Sequence, residues 1–299
     1  ERDSFNDLLK NAKFSLHAAK LNGKNRCEIF DSVNYIEYIK KLGIQDELRR
    51  CIIEGYEGFE LYFQPIYNPK NDNLSGAEAL IRWNSSKYGF MGPDKFIPLL
   101  EESALIIPLG RWIIDTAAKA CNRWITNIPD FVMHINLSFV QIVKSNIIKD
   151  VLEYIGKYSA ANNHYVFEIT ETIEMDRIPA VERVFKEFIK NDFRLAIDDF
   201  GTGYSNYGYM RDKIFDIVKV DRSFITDIDK RKNNYLMVSF IIKMAHEMGL
   251  HVCIEGVETK EELSCVRELG ADYIQGYYYG KPVCVADFEE QHLKKLILG

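Results

Sequence analysis

Short apolar runs alternate with amphipathic helical segments from Phe59 to the end of the chain. This alternation is typical of folds in which strands and helices follow one another, and it predicts an α/β architecture. The predicted strands are Leu61–Ile66, Leu74–Arg82, Val132–Asn136, Tyr165–Thr170, Arg194–Asp198, Ile217–Asp221, Val252–Glu255 and Tyr273–Gln275. Eight such strands fit either a barrel or a doubly wound sheet. We favour the barrel because polar residues end nearly all of these runs, and barrel enzymes assemble their sites at the C-terminal ends of the strands.

The first 55 residues follow a different pattern. We predict a helix from Phe5 to Ala19, followed by a short strand from Arg26 to Phe30. A second helix is predicted from Ser32 to Gly55, with a break at Gly43. This helix–strand–helix extension precedes the main domain. The predicted units are an N-terminal piece, a helical linker and a barrel domain, at residues 1–31, 32–54 and 55–299.

Composition and cysteine usage narrow the class of protein. The 299 residues are 47% hydrophobic and 27% charged, as in soluble globular proteins. No stretch approaches the roughly 20 uninterrupted apolar residues that a membrane span needs. The six cysteines form no CxxC pair and the start does not resemble a signal peptide, so we expect reduced thiols in the cytoplasm. Because the chain starts at Glu1, we expect a fragment whose upstream part could hold a sensor, a targeting segment or a membrane anchor.

The net charge of −6 is unevenly distributed along the chain. Residues 1–50 carry 10 basic and 8 acidic side chains, whereas the remaining residues carry 28 basic and 36 acidic ones. The acidic excess therefore belongs to the predicted barrel. It argues against binding of long nucleic acid, which relies on a basic surface. A small phosphate ligand held through metal ions stays compatible with this charge.

One predicted strand ends in two adjacent carboxylates, Asp198 and Asp199, and a loop that contains Gly201 and Gly203 follows. Neighbouring carboxylates repel each other and are costly to desolvate, so a fold that points both into a cleft usually needs a cation there. The alternative is a solvated turn, because Asp and Gly are ordinary turn formers.

Polar side chains also occur at the ends of the other predicted strands. They are Glu78, Arg82, Asn136, Glu168, Glu171, Lys219, Glu255 and Glu258. A surface charge would explain each one alone, but they recur at intervals of roughly 20 to 40 residues, the length of a βα repeat. Carboxylate and amide oxygens are the ligands that hard divalent cations prefer. Asp198 and Asp199 could hold a pair of ions about 4 Å apart, the arrangement used for phosphodiester hydrolysis.

Histidine and cysteine clusters of the kind that bind zinc are missing from these strand ends. His134 lies two residues before Asn136 and could share its face of the strand. A lone histidine in an apolar run is more often a core residue, however, so both interpretations stay open at this point.

Eight motifs of the chain resemble, in order, those of EAL-domain cyclic di-GMP phosphodiesterases. They are Gln64-Pro65-Ile66, Glu78-Ala79-Leu80-Ile81-Arg82-Trp83, Ile135-Asn136-Leu137-Ser138, Glu168-Ile169-Thr170-Glu171, Asp198 to Ser205, Val218-Lys219-Val220-Asp221, Glu255-Gly256-Val257-Glu258 and Gln275-Gly276-Tyr277. The resemblance implies a modified (β/α)8 TIM barrel whose first strand is antiparallel to the others. It also implies hydrolysis of one phosphodiester bond of cyclic di-GMP to linear 5'-pGpG with two Mg²⁺ or Mn²⁺ ions.

The same resemblance assigns a role to each site residue. The implied ligands of one metal are Glu78, Asn136, Glu168 and Asp198. The second metal would be held by Asp198 and Asp199 with Glu255 nearby. The implied catalytic residues are Asp199, Lys219 and Glu255. Glu255 would hold or deprotonate the attacking water, and Lys219 would orient that water. The implied substrate contacts are Gln64, Arg82 and Gln275. Glu171 would anchor the loop from Asp198 to Ser205.

Two other features follow from family resemblance. Residues 8–26 resemble the C-terminal end of a GGDEF diguanylate cyclase domain without its cyclase signature, and an amphipathic connecting helix is the alternative. The expected partners are therefore cyclic di-GMP, an upstream GGDEF domain and a second copy of the chain. Asn206 and Tyr207 depart from the usual family residues in the loop, which affects the expected rate and dimer coupling more than the chemistry.

Two other classes of function were weighed against the hydrolase. A receptor module would bind the nucleotide without cleaving it, and a scaffold would retain the barrel without its chemistry. The complete set of acids argues against both, because a receptor needs no water-activating Glu255 and a scaffold needs none of the carboxylates.

Overall fold

The barrel is formed by eight of ten strands that join into one sheet. The structure, a computed structural model, describes residues 4–21, 23–171, 179–203 and 214–294. The strands are β1 (Phe59–Asn68), β2 (Asn73–Ser85), β3 (Gly89–Met91), β4 (Val132–Asn136), β5 (Tyr165–Thr170), β6 (Arg194–Phe200), β7 (Ile217–Val220), β8 (His251–Ile254), β9 (Tyr273–Gln275) and β10 (Val283–Cys284). Their order is β10-β1-β9-β8-β7-β6-β5-β4-β2-β3, and an additional β1–β2 pairing closes the barrel.

Strand direction matches the fold that the sequence predicts. β1 runs antiparallel to both of its barrel neighbours, β2 and β9. All other pairs around the barrel, from β2–β4 to β8–β9, are parallel. The predicted (β/α)8 barrel with one antiparallel strand is therefore confirmed. All eight predicted strands are present, whereas the short strands β3 and β10 at the margins of the barrel were not predicted.

Helices lie around the barrel and in the N-terminal extension. They are α1 (Phe5–Leu21), α2 (Ser32–Ile53), α3 (Pro93–Glu102), α4 (Ile106–Trp124), α5 (Phe139–Lys144), α6 (Ile147–Ile155), α7 (Pro179–Lys190), α8 (Lys232–Glu247), α9 (Lys260–Leu269) and α10 (Val285–Phe288). Apolar residues one or two turns apart give the long helices of the barrel domain a face toward the core. In α4, that face includes Ile113, Ala117, Cys121 and Trp124, all of them buried.

Two predictions for the N-terminal extension were wrong. Residues 26–30 form no strand, because the Phe30 ring packs instead against Phe14 and Tyr35, with ring centroids 6.1 and 5.6 Å away. Helix α2 also continues through Gly43 without a break. A Cβ atom at that position would lie 2.7 Å from the Tyr88 hydroxyl, so the glycine allows close packing and does not end the helix.

The side-chain alternation of the strands builds the interior of the barrel in layers. A buried apolar layer is formed by Ile66, Val166, Ala196, Ile217 and Cys253. Residues two positions apart on a strand share a face. The parallel strands β5 to β8 therefore place a charged side chain directly above this layer, toward their C-terminal ends. These side chains are Glu168, Asp198, Lys219 and Glu255.

Candidate active site

Lys219 lies at the centre of the charged layer and is fully buried. Its Nζ is 2.7 Å from Oε2 of Glu168 and 2.8 Å from Oε1 of Glu255. The same atom lies 3.3 Å from a carboxylate oxygen of Glu78 and 3.3 Å from one of Asp198. Burial disfavours the ammonium, but the four surrounding acids outweigh burial and hold the pKa of Lys219 well above its usual value. The site thus contains a permanent cation among four acids.

Glu78 accepts hydrogen bonds at both carboxylate oxygens. Asn136 donates to Oε1 over 2.6 Å, and Gln275 donates to Oε2 over 2.6 Å. Burial alone would favour the neutral acid, but the charge of Lys219 and these two hydrogen bonds lower the pKa of Glu78. Gln275 also donates to Oε1 of Gln64 over 3.0 Å. A polar chain thus links the antiparallel strand β1 to the centre of the site.

Glu168 is buried between His134 and Lys219. Nδ1 of His134 lies 2.7 Å from Oε1 of Glu168. Burial, followed by repulsion from Glu78, raises the pKa of Glu168 well above its ordinary value in spite of Lys219. Burial and the charge of Lys219 lower the pKa of His134 to about 3, so its imidazole is neutral at physiological pH. The sequence pattern showed that His134 could share the face of Asn136, but it did not predict the contact with Glu168.

Asp198, Asp199 and Glu255 each present an oxygen to a common space, and these oxygens lie within 4.8 Å of one another. Burial and the neighbouring Asp198 raise the pKa of Asp199 to about 6. Burial also raises the pKa of Glu255 to about 8, with Lys219 opposing this shift. Ionising Asp199 and Glu255 in this space is therefore costly unless positive charge is added.

A backbone irregularity brings the two adjacent aspartates to one site. Successive residues of a regular strand point to opposite faces. The register between β6 and β7 shifts between Ile197 and Phe200, and Asp199 has a φ of 54°. This bulge turns the Asp199 carboxylate toward the same mouth as that of Asp198. The strained backbone of Asp199 thus places its own carboxylate in the site.

The residues present fit a divalent cation. Oδ1 of Asp198 is buried and accepts no hydrogen bond from the described residues, with only the Lys219 ammonium 3.3 Å away. This unbonded oxygen lies beside the carboxylates of Asp199 and Glu255. Together the three groups offer the oxygen ligands that Mg²⁺ and Mn²⁺ prefer. Glu78, Asn136 and Glu168 lie against this cluster. Asn136 donates a hydrogen bond to Glu78, and Lys219 donates to both Glu78 and Glu168.

Two adjoining cavities open beside these acids. One has a volume of about 270 Å³ and is lined by Gln64, Asp199, Glu255, Gln275 and Tyr277 among others. The second has a volume of about 470 Å³, and its wall is more apolar. Its lining includes Leu80, Ile97, Ile113, Asn136, Phe139 and Glu168. The Tyr277 ring is half exposed. Tyr277 belongs to the Gln275-Gly276-Tyr277 motif, but the sequence analysis assigned it no role.

Arg82 and Glu171 lie at the margins of the site. Arg82 is half-buried, donates to the carbonyl of Ile81 and has its guanidinium carbon 5.5 Å from the centre of the Tyr62 ring. Oε2 of Glu171 accepts hydrogen bonds from the backbone N–H groups of Gly201 and Gly203, over 2.7 and 3.2 Å. Residues 204–207, including Asn206 and Tyr207, lie outside the described residues.

The chain belongs to the EAL domain family, whose model matches residues 45–282. It is 32% identical over 285 residues to the signaling protein YkoW of Bacillus subtilis. It is 31% identical over 285 residues to the cyclic di-GMP phosphodiesterase NbdA of Pseudomonas aeruginosa. Each alignment covers 95% of this chain but only 35% and 36% of the respective relative. The chain thus spans about a third of the length of these relatives.

A solved structure shares the fold. The EAL enzyme Bd1971, in its form bound to cAMP and cyclic-di-GMP, aligns with a TM-score of 0.81 and 30% sequence identity. The alignment covers 97% of this chain and 76% of that chain. Among the described residues, no helix combines the length and the apolar character that crossing a membrane requires.

Proposed function

We propose that this chain is a metal-dependent phosphodiesterase that hydrolyses cyclic di-GMP to linear 5'-pGpG. The observation that carries the proposal is the cluster of Asp198, Asp199 and Glu255 around a shared space, with buried Lys219 beneath it. NbdA is named for this activity and Bd1971 binds this nucleotide, which supports extending both properties to a chain of the same family.

Two Mg²⁺ or Mn²⁺ ions would be held by the site acids. Asp198, Asp199 and Glu255 would supply oxygens, and Glu78, Asn136 and Glu168 would complete the set. When bound, such ions polarise the phosphoryl oxygen and acidify the attacking water. They would also offset the repulsion between a ligand with two phosphates and a cavity lined by carboxylates.

The protein's own groups would then position and deprotonate the water. Glu255 would accept the proton of the attacking water, because its carboxylate faces the same space as those of Asp198 and Asp199. Lys219 would hold Glu255 by their 2.8 Å contact and donate toward the water. The ammonium of Lys219 is already held in place for this role by its contacts with Glu78, Glu168, Asp198 and Glu255.

Substrate binding would use the residues around the two cavities. Gln64 and Gln275 line the smaller cavity and are already hydrogen-bonded to each other, so their amides are held in place. Arg82 would meet a phosphate or a base edge at the mouth of the barrel. Burial lowers the pKa of Arg82, but its guanidinium stays charged near neutral pH.

The direct test is incubation of the chain with cyclic di-GMP and Mg²⁺ or Mn²⁺, with chromatography for 5'-pGpG. We expect product with either ion, none with excess chelator, and none from Asp198→Asn. Asp192→Asn is the matched control, because Asp192 is exposed, precedes β6 and has a φ of 60° that Asn tolerates. Nucleotide binding without any product would support a receptor and contradict the proposed hydrolase.

We also infer a domain division in which residues 1–31 end a GGDEF-like domain, residues 32–54 link it to the barrel, and residues 55–299 form the barrel domain. Phe14 and Phe30 pack against Tyr35 and Tyr38 at the start of the linker helix, in an aromatic cluster outside the barrel core, which supports a distinct N-terminal unit. The C-terminal half of α2 belongs to the barrel core through Leu48 and Cys51. Limited proteolysis tests the division, which predicts first cleavage between α1 and the middle of α2.

The assembly and the location of the protein are also proposals. We propose a homodimer, an upstream domain in the full-length protein and a cytoplasmic location. Six free cysteine thiols support a reducing compartment. Light scattering of the purified chain, with and without cyclic di-GMP, tests the dimer.

A further inference from the structure

We propose that His134 is a positioning residue that binds one carboxylate oxygen of Glu168 and leaves only the other oxygen for a divalent cation. The inference rests on the proposed metal site. It assigns a role to a residue that does not itself touch the metal or the substrate. It also predicts that Glu168 is a one-oxygen ligand in this chain.

The strand register creates the contact between the two side chains. β4 and β5 are parallel neighbours in which Asn136 pairs with Glu168 and His134 pairs with Val166. His134 therefore lies one layer below Asn136 on the same face, directly beneath the Glu168 carboxylate. His134 is 4% exposed and Glu168 is 1% exposed, so water cannot readily replace this hydrogen bond.

The two oxygens of Glu168 have unequal partners. Oε1 lies 2.7 Å from Nδ1 of His134. Oε2 lies 2.7 Å from Nζ of Lys219, which is shared with Glu78, Asp198 and Glu255. A cation at the Asp198 cluster would compete with the shared ammonium for Oε2. It would leave the hydrogen bond at Oε1 in place.

A packing role for His134 makes a different prediction. Its imidazole also borders a small interior gap with Ile66, Ile217 and Tyr273, so an apolar side chain of similar size could fill the same volume. Such a side chain would preserve packing but leave Oε1 of Glu168 without its donor. The carboxylate could then rotate, and a ligand that is free to rotate binds a metal less tightly.

Two substitutions separate these roles. His134→Leu keeps most of the volume and removes the donor, whereas His134→Asn removes the ring but keeps a nitrogen donor at the position of Nδ1. We expect His134→Leu to weaken Mn²⁺ binding by about 10-fold or more, and His134→Asn to bind Mn²⁺ nearly as tightly as the wild type. Calorimetric titration of Mn²⁺ measures both affinities. Val166→Ala is the control for a lost contact in the same layer, and we expect it to leave the affinity unchanged.

The opposite ranking overturns the proposal. If His134→Leu binds Mn²⁺ as tightly as the wild type, or His134→Asn as weakly as His134→Leu, the hydrogen bond does not position the ligand. Should His134→Leu fail to fold, His134→Asn alone decides, because a 10-fold loss in that variant contradicts the role. In a Glu168→Gln background, His134→Leu should have little further effect on Mn²⁺ affinity.

The Mn²⁺ titration also separates the positioning role of His134 from the proposed hydrolysis of cyclic di-GMP. Mn²⁺ binding is read without cyclic di-GMP, so it does not depend on hydrolysis. Wild-type protein that binds no Mn²⁺ would remove the metal site and both proposals with it. Wild-type protein that binds Mn²⁺ but does not cleave the nucleotide would contradict only the hydrolase.

Discussion

The ammonium of Lys219 lies 2.7 Å from Oε2 of Glu168, with both side chains completely buried. Three further acids share the same ammonium. A single buried cation thus compensates part of the charge of a site that is otherwise acidic. In the proposed site, divalent ions would supply the remaining positive charge, and Lys219 and the ions would act together against the repulsion between the acids.

Lys219→Met should destabilise the metal-free protein by about 3–5 kcal/mol, because it leaves buried carboxylates without their shared partner. It should also abolish detectable hydrolysis. Urea unfolding with chelator measures the loss of stability, and saturating Mg²⁺ should restore part of it because the ions replace the missing positive charge.

Lys186→Met is the matched control for this substitution. Lys186 forms an exposed ion pair with Glu182 on α7, and such pairs contribute about 0–1 kcal/mol. We expect this control to leave unfolding and hydrolysis nearly unchanged. A Lys219→Met protein as stable as the wild type in chelator would contradict the electrostatic role of Lys219.

Glu171→Ala should lower kcat by about 10- to 100-fold, because hydrogen bonds to charged groups contribute about 1.5–3 kcal/mol each. Oε2 of Glu171 accepts hydrogen bonds from the N–H groups of Gly201 and Gly203, just after the proposed metal ligands Asp198 and Asp199. Glu171→Gln keeps an oxygen acceptor and should fall between wild type and Glu171→Ala. Steady-state kinetics and Mn²⁺ titration together test this, since only kcat should change strongly. An equal loss of Mn²⁺ affinity would place Glu171 in the metal site.

The strands and the principal acids could be predicted from the sequence because both leave local signals. An apolar run that ends in a carboxylate identifies a strand and its functional end at once, as at Ile197 and Asp198. The antiparallel β1 followed only from family resemblance, since strand direction depends on pairing across the sheet. β3 and β10 are too short to show an alternation.

Contacts between strands could not be predicted in the same way. The partner of His134 depends on the register between β4 and β5, and a one-residue shift would turn the imidazole out of the barrel. The bulge that redirects Asp199 is likewise set by the pairing of β6 with β7. Gly43 was misinterpreted as a helix break because the nearby Tyr88 hydroxyl belongs to a distant part of the chain.

Gly76→Ala should destabilise the barrel by about 1–3 kcal/mol, the usual cost of overpacking a core. A Cβ atom at Gly76 would lie 2.3 Å from the backbone carbonyl oxygen of Val132 on the adjacent strand β4. Backbone cannot move aside as a flexible side chain can. Urea unfolding measures the effect, with the neighbouring Ser75→Ala as control. Equal midpoints for Gly76→Ala and wild type would show that the strands have room to separate.

Stability and metal affinity should respond to pH in opposite directions. The pKa of Glu255 is raised from its ordinary 4.5 to about 8 in the folded protein, so the native state retains a proton that the unfolded state loses. In chelator, this group should therefore make the protein less stable as pH rises from about 4.5 to about 8, by up to about 1.4 kcal/mol per pH unit. Mn²⁺ affinity should increase over pH 6 to 8, because the cation displaces this proton.

Glu255→Gln isolates this effect because the amide does not titrate. In chelator, the decline of unfolding free energy between pH 6 and 8 should be shallower in the variant than in the wild type. Asp199, whose pKa is raised to about 6, should contribute mainly below pH 6 and remains present in both proteins. Urea unfolding and Mn²⁺ titration at a series of pH values measure both trends. Parallel pH profiles for the two proteins would mean that Glu255 is already ionised at pH 6 and does not retain the proton that the metal must displace.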